Sequence, residues 1–119
     1  MLRPDNDLPE VYLCRDVVDF RKGINGLSIL VEQALLLNPF SEHLFVFCNR
    51  SRSAIKCLYF EGCGFVLWHK KLEQAKFYWP KTSSDEVITL TGQELNWLLD
   101  GYDLAQLKPH RKLQFTTVL

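Results

Sequence analysis

The chain has no apolar run near the roughly 20 residues that cross a bilayer. Nor does it open with a charged segment followed by an apolar core. A membrane span and a secretory signal are both unexpected, so a cytoplasmic protein with no membrane partner is the expectation. There is also no excess charge, since 14 Lys and Arg offset 14 Asp and Glu. That excludes a protein that coats DNA through bulk positive charge. The six glycines form no phosphate-cradling loop, so nucleotide hydrolysis has no support. Cys14, Cys48, Cys57 and Cys63 lie in or beside apolar segments and make no spaced disulfide framework, so reduced, mostly buried thiols are expected. Cys57 and Cys63 have no second pair, and His43, His69 and His110 show no ligand spacing, so neither a metal nor another cofactor is expected.

What remains is an apolar, aromatic-rich chain of 119 residues, 47% hydrophobic and 13% aromatic. That is enough to bury one core without covalent staples. Residues 1–10, with two prolines, read as an irregular lead-in, and 11–119 as one domain. Val11 to Val18 reads as a strand. Ile24, Leu27, Val31, Ala34 and Leu35 recur at helical spacing, and the helix should stop before Asn38-Pro39. Leu44-Phe45-Val46-Phe47 suits a central strand. Ile55 to Phe60 and Phe65 to Lys70 flank a Gly62 and Gly64 turn, Ala75 to Trp79 reads as a further strand, and Val87 to Leu90 as another short one. Thr82 to Glu86 reads as a polar loop. Thr91-Gly92-Gln93-Glu94 is a capping-box pattern ahead of Leu95, Leu98 and Leu99, with Gly101 as the stop. Leu113 to Leu119 could return as an edge strand. The expectation is an α+β fold: an antiparallel sheet of about five strands with two helices packed on one face.

The stretch most suggestive of function is Ile55 to Pro80, IKCLYFEGCGFVLWHKKLEQAKFYWP, preceded by Asn49-Arg50-Ser51-Arg52-Ser53. Aromatics interleaved with cations suit a nucleic-acid surface. Arg21 and Lys22 precede a glycine and a helix start, where backbone amides and the dipole favour a phosphate. Against that, they could merely flank the helix, or Arg21 could pair with Asp19. Asn49, Arg50, Arg52 and Lys56 suit a loop that grips a phosphate backbone, with a solvated hairpin loop as the plain alternative. His69, Lys70, Lys71 and Lys76 could line up as a cationic strip or be a surface balanced by Glu73. Tyr59, Trp68, Tyr78 and Trp79 are expected mainly in the core, with Tyr78 the exception if Phe77 and Trp79 point inward. A metal-dependent nuclease would need Asp16, Asp19, Glu61 and Glu73 to converge, and no spacing links them. The acidic block Asp85, Glu86, Asp100 and Asp103, with Tyr102, supports a rival in which the chain is a protein-interaction adaptor.

One ordered series of motifs runs through these segments. It comprises Asp19-Phe20-Arg21-Lys22-Gly23, Gly26-Leu27, Asn38-Pro39-Phe40, Leu44-Phe45-Val46-Phe47, Asn49-Arg50, Ile55-Lys56, the Gly62 and Gly64 turn, Lys71-Leu72-Glu73 and Phe77-Tyr78-Trp79-Pro80. In these the chain resembles the TnpB accessory proteins of insertion sequence family sixty-six, from about Val11 to Gly101. The resemblance implies a bacterial mobile-element protein, encoded beside a separate transposase that carries the catalytic acids, and needed for efficient transposition. It implies no enzyme activity of its own. The RNA-guided nuclease that shares the TnpB name is a longer, unrelated chain. The partners expected are DNA, at element ends or target, and the element-encoded transposase and other accessory protein.

Overall fold

A computed structural model describes residues 10–80 and 85–105. Most of the expected lead-in, most of the polar loop at 82–86 and the possible strand Leu113 to Leu119 lie outside the described residues. Five strands and two helices follow in the order β1 (Val11–Cys14), α1 (Ile24–Gln33), β2 (Leu44–Cys48), β3 (Ala54–Glu61), β4 (Gly64–Lys71), β5 (Val87–Leu90) and α2 (Gly92–Leu99).

The fold is α+β, and the strands form one sheet in the order β4-β3-β2-β1-β5. Every residue of β2 is buried, as befits a central strand covered on both faces. The sheet is mixed, which corrects the all-antiparallel expectation. β1 and β2 pair in parallel, with Val11 opposite Leu44, while the other neighbours are antiparallel. The physical reason is α1. A helix between two adjacent strands carries the chain back to the starting end, so the next strand runs the same way.

The helices also take opposite faces, where one shared face was expected. Leu27 and Val31 of α1 pack with Cys14, Phe45, Phe47 and Leu58. Leu95, Leu98 and Leu99 of α2 pack with the alternate residues Leu13, Val46, Cys48, Ile55 and Cys57. Period-two alternation sends odd and even positions of each strand to different cores. The capping box forms as expected: Glu94 N donates to Thr91 Oγ1 and Thr91 N to Glu94 Oε1, each at 3.1 Å. Gly101 follows α2 at φ +95°, in the left-handed region that glycine enters at no steric cost.

The β3–β4 hairpin turns through Gly62 and Cys63, with Glu61 opposite Gly64. Gly62 has φ +63°, as the first position of a type II′ turn requires. Ala75 to Trp79 is not a strand. It belongs to an extended strap that leaves β4 and crosses the end of the sheet, tied by Leu72 N to Ser53 O at 2.7 Å and Phe77 N to Arg52 O at 2.8 Å. Its far end is held by Trp79 Nε1, which donates to the carbonyls of Cys14 and Arg15 at 3.2 and 3.1 Å.

Candidate nucleic-acid interface

Parallel pairing of β1 and β2 brings the loops that follow both strands to one end of the sheet. In parallel units ligands characteristically meet the loops beyond the carboxyl ends of the strands. Here those loops are Arg15 to Gly23 and Asn49 to Ser53, stitched together by Val18 N donating to Cys48 O at 2.8 Å. The strap passes the same end, so three of the motif-bearing segments meet there.

Three concavities follow one another along this end. The first, about 560 Å³, is lined by Val17 to Phe20 and by Asn49, Arg50 and Ser51. The second, about 300 Å³, is lined by Arg15, Asp16, Val17, Arg50, Arg52 and Trp79. The third, about 770 Å³, lies between the strap, Arg52 and the end of α2. Arg50 lines the first and second, and Arg52 the second and third, so these two arginines stand at the junctions.

The loop that presents them is internally braced. Asn49 Oδ1 accepts from the amides of Ser53 and Ala54 at 3.0 and 3.1 Å, and its Nδ2 donates to Ser53 Oγ. Asn49, expected to touch nucleic acid, is therefore a scaffold for its neighbours. Arg52 is held at φ +59°. A non-glycine residue there costs roughly 1–2 kcal/mol. The Phe77 amide on its carbonyl holds that conformation in place.

Arg21 and Lys22 sit at the start of α1. Arg21 is 91% exposed yet paired: its guanidinium grips Asp19 Oδ2 at 2.6 and 2.9 Å, and its amide bonds Asp19 Oδ1. The guanidinium hydrogen bonds hold the Asp19 carboxyl down at about 2. The local Asp19 pairing weighed from sequence is therefore the one present. Behind it, Gly23 caps α1 with no side-chain hydrogen bond to its first amides, which leaves an amide-rich end suited to an anion. Gly26 keeps this turn tight, because a Cβ there would meet the Lys22 stem at 3.1 Å.

Two expected phosphate contacts are turned inward. Lys56 is 8% exposed, and its Nζ donates to the carbonyls of Phe20 and Lys22, each at 2.9 Å, while lying 4.8 Å from the Phe20 ring centroid. It braces the Asp19-to-Lys22 turn from beneath. Lys70 donates to Leu99 O at 3.0 Å, a cation at the carbonyl end of α2 where the dipole favours it. The strip weighed for His69, Lys70, Lys71 and Lys76 is divided between two faces: Lys70 faces the α2 side, and His69 and Lys71 alternate to the other. Burial and the neighbouring Lys56 and Lys71 charges push the His69 pKa down. Lys76 lies on the exposed strap and lines the third concavity.

Among the aromatics, Phe77 and Trp79 are buried and Tyr78 is 58% exposed, the alternation expected from sequence. Sequence reasoning missed Arg15, whose position directly after β1 was the available signal. The carboxylates do not converge. Glu61 is at the hairpin tip, the far end from Asp16 and Asp19, and among the described residues no cluster of three or more His, Cys, Asp or Glu could hold a metal. Among them, too, no helix is long and apolar enough to cross a membrane.

Comparison with known proteins gives a consistent family. A family described as IS66 Orf2 like protein matches residues 9–109. The chain is 34% identical over 108 residues to the uncharacterized protein y4jC of Sinorhizobium fredii, covering 91% of each chain. It is 33% identical over 100 residues to y4hO of the same organism, covering 84% of this chain and 86% of that one. No solved structure matches.

Proposed function

This chain belongs to the IS66 Orf2-like family, and on that premise we propose that it contacts DNA directly during transposition of its element. Membership makes it an insertion-sequence accessory protein associated with the transposition machinery. The proposal adds a non-catalytic role, required for efficient transposition, in which the protein holds element ends or target DNA. The observation that carries it is the placement of Arg50 and Arg52 at the junctions of three successive concavities, beside Arg15 and the uncapped start of α1. Arg50, Arg52, Arg15 and Lys76 supply the phosphate contacts, with Lys22 and Arg21 at the α1 end. Lys56 and Lys70 act by positioning.

Acids interleave with these cations at Asp16, Asp19, Asp100 and Asp103, so binding by one copy is weak and salt-sensitive. Several copies held in one assembly would raise it through effective concentration. A fluorescence-anisotropy titration against a labelled element-end duplex, a scrambled duplex and a single strand, at two salt concentrations, tests the reading. Salt-dependent binding supports it, and absence of binding to every probe at low salt sinks it.

A second reading, an adaptor that holds the transposase or another element-encoded protein, draws on exposed apolar side chains and on the acids after α2, which share the third concavity with Arg52. Tyr102 is exposed, and Leu36 is 81% exposed at φ +56°, a strained and solvated leucine. Nuclease-resistant co-purification with the transposase, lost on Asp100→Lys with Asp103→Lys, would favour that role.

A further inference from the structure

We infer that the third concavity is a pocket for an unpaired nucleobase, so that the protein engages DNA with a single-stranded portion in preference to continuous duplex. This rests on the DNA-contact reading above and specifies the form of nucleic acid.

The inference starts from Tyr78. Its neighbours Phe77 and Trp79 are buried, and both are tied to the sheet end, Phe77 through its amide on Arg52 O and Trp79 through its indole on the Cys14 and Arg15 carbonyls. The backbone on either side of Tyr78 is therefore fixed. Tyr78 lines the groove while remaining more than half exposed. An exposed aromatic on a backbone tethered at both neighbours is a stacking platform that loses little freedom on binding.

Charge around the ring is sorted by element. The β2–β3 loop and the strap bring Arg52 and Lys76, and the segment after α2 brings Asp100 and Asp103. A phosphate backbone is attracted to the first set and repelled by the second. A base lying across the groove would thus present its polar edge toward the carboxylates, which accept from an exocyclic amino group such as that of cytosine. Lys70 joins the two sides, spanning from β4 to the Leu99 carbonyl, so the groove does not depend on a moving element. Bases paired within a duplex cannot enter such a concavity, whereas an unstacked base can.

The test is anisotropy titration of three labelled probes: a blunt duplex, the same duplex with a short single-stranded overhang, and the single strand. Wild-type protein should favour the overhang and the single strand over the blunt duplex. Tyr78→Ala should weaken binding to those two probes about fivefold or more, the low end for one stacked base, and leave the blunt duplex unchanged. Tyr78→Phe, which keeps the ring, should retain wild-type affinity. Circular dichroism would verify that each variant is folded. Unchanged overhang affinity in Tyr78→Ala, as a peptide-binding groove would give, overturns the inference while salt-dependent duplex binding leaves the broader reading standing. Failure of all three probes to bind overturns both.

Discussion

Replacing Lys56 by Met separates a positioning lysine from a phosphate-contacting one. Methionine keeps an unbranched apolar stem and removes the ammonium. What is lost is two hydrogen bonds from a charged donor, to the Phe20 and Lys22 carbonyls at 2.9 Å each, and the approach to the Phe20 ring. Hydrogen bonds to charged groups contribute roughly 1.5–3 kcal/mol each, a gross loss of about 3–6 kcal/mol. Relief from burying an ammonium, several kcal/mol, offsets much of this. Phe20 is partly exposed and Lys22 exposed, so water can reach the freed carbonyls. The net expectation is a loss of about 1–3 kcal/mol. Unfolding entropy near 2.1 cal/mol/K per residue makes each kcal/mol worth about 4 °C in a chain of this length, so the melting temperature should fall by about 4–12 °C. DNA affinity should fall as the turn loosens, yet the slope of log affinity against log salt should stay at the wild-type value, since no phosphate contact is removed. Thermal unfolding followed by circular dichroism, with anisotropy titrations below the transition, reads both quantities. A wild-type melting temperature together with a slope smaller by about 0.9 would refute the reasoning, because that pattern belongs to a solvent-facing phosphate contact.

Three other variants or probes test separate parts of the account. Asp19→Asn keeps an acceptor for the Arg21 amide but frees the guanidinium charge, so DNA affinity should rise and the salt slope steepen by about 0.9 per added contact; an unchanged titration would place Arg21 off the DNA path. With its pKa lowered from 3.8 to about 2 in the fold, Asp19 contributes stability that is present above pH 3.8 and lost as pH falls through about 2, and an acid titration of the Asn variant should lack that contribution. Of the four thiols, exposed Cys63 should react with a disulfide reagent in the native protein at neutral pH, while Cys14, Cys48 and Cys57 wait for unfolding. Burial pushes Cys14 and Cys48 up to about 11 and 12, and rapid labelling of either would contradict the packing. Thr91→Ala removes the hydroxyl half of the capping box and should lower stability by about 1 kcal/mol in denaturant titrations, whereas no change would mean the cap contributes nothing.

Much of the fold was legible because local signals agreed with one another. The apolar run Leu44-Phe45-Val46-Phe47 announced a central strand, the glycine turn fixed the β3–β4 hairpin, and Thr91 with Glu94 marked where α2 begins. The sheet was read as wholly antiparallel because the connection between its first two strands was not followed through. The helical periodicity between Val11–Cys14 and Leu44–Cys48 already implied a crossover and hence parallel strands. The strap read as a strand because Phe77-Tyr78-Trp79 alternates in burial, and alternation records which side chains face the core, not whether the backbone has a ladder partner. At the candidate site, sequence brought out loops that the fold gathers at one end of the sheet, together with two lysines that the fold turns inward. Lys56 lies between apolar residues and Lys70 between His69 and Lys71, and what turns each inward is a set of carbonyl acceptors contributed by segments 29 to 36 residues away in the chain. No local pattern carries that information.

The central claim is that Arg50 and Arg52 form the electrostatic contact between this accessory protein and DNA. Its most direct test is the salt dependence of binding to an element-end duplex for the wild type, the Arg50→Ala/Arg52→Ala double variant, and Lys71→Ala, an exposed lysine that faces away from the α2 side and lines none of the three concavities. The account predicts that the double variant binds more weakly with a slope reduced by about 1.8, corresponding to two phosphates, while Lys71→Ala titrates as wild type. Equal slopes for the double variant and the wild type, or a reduced slope in Lys71→Ala alone, would contradict it.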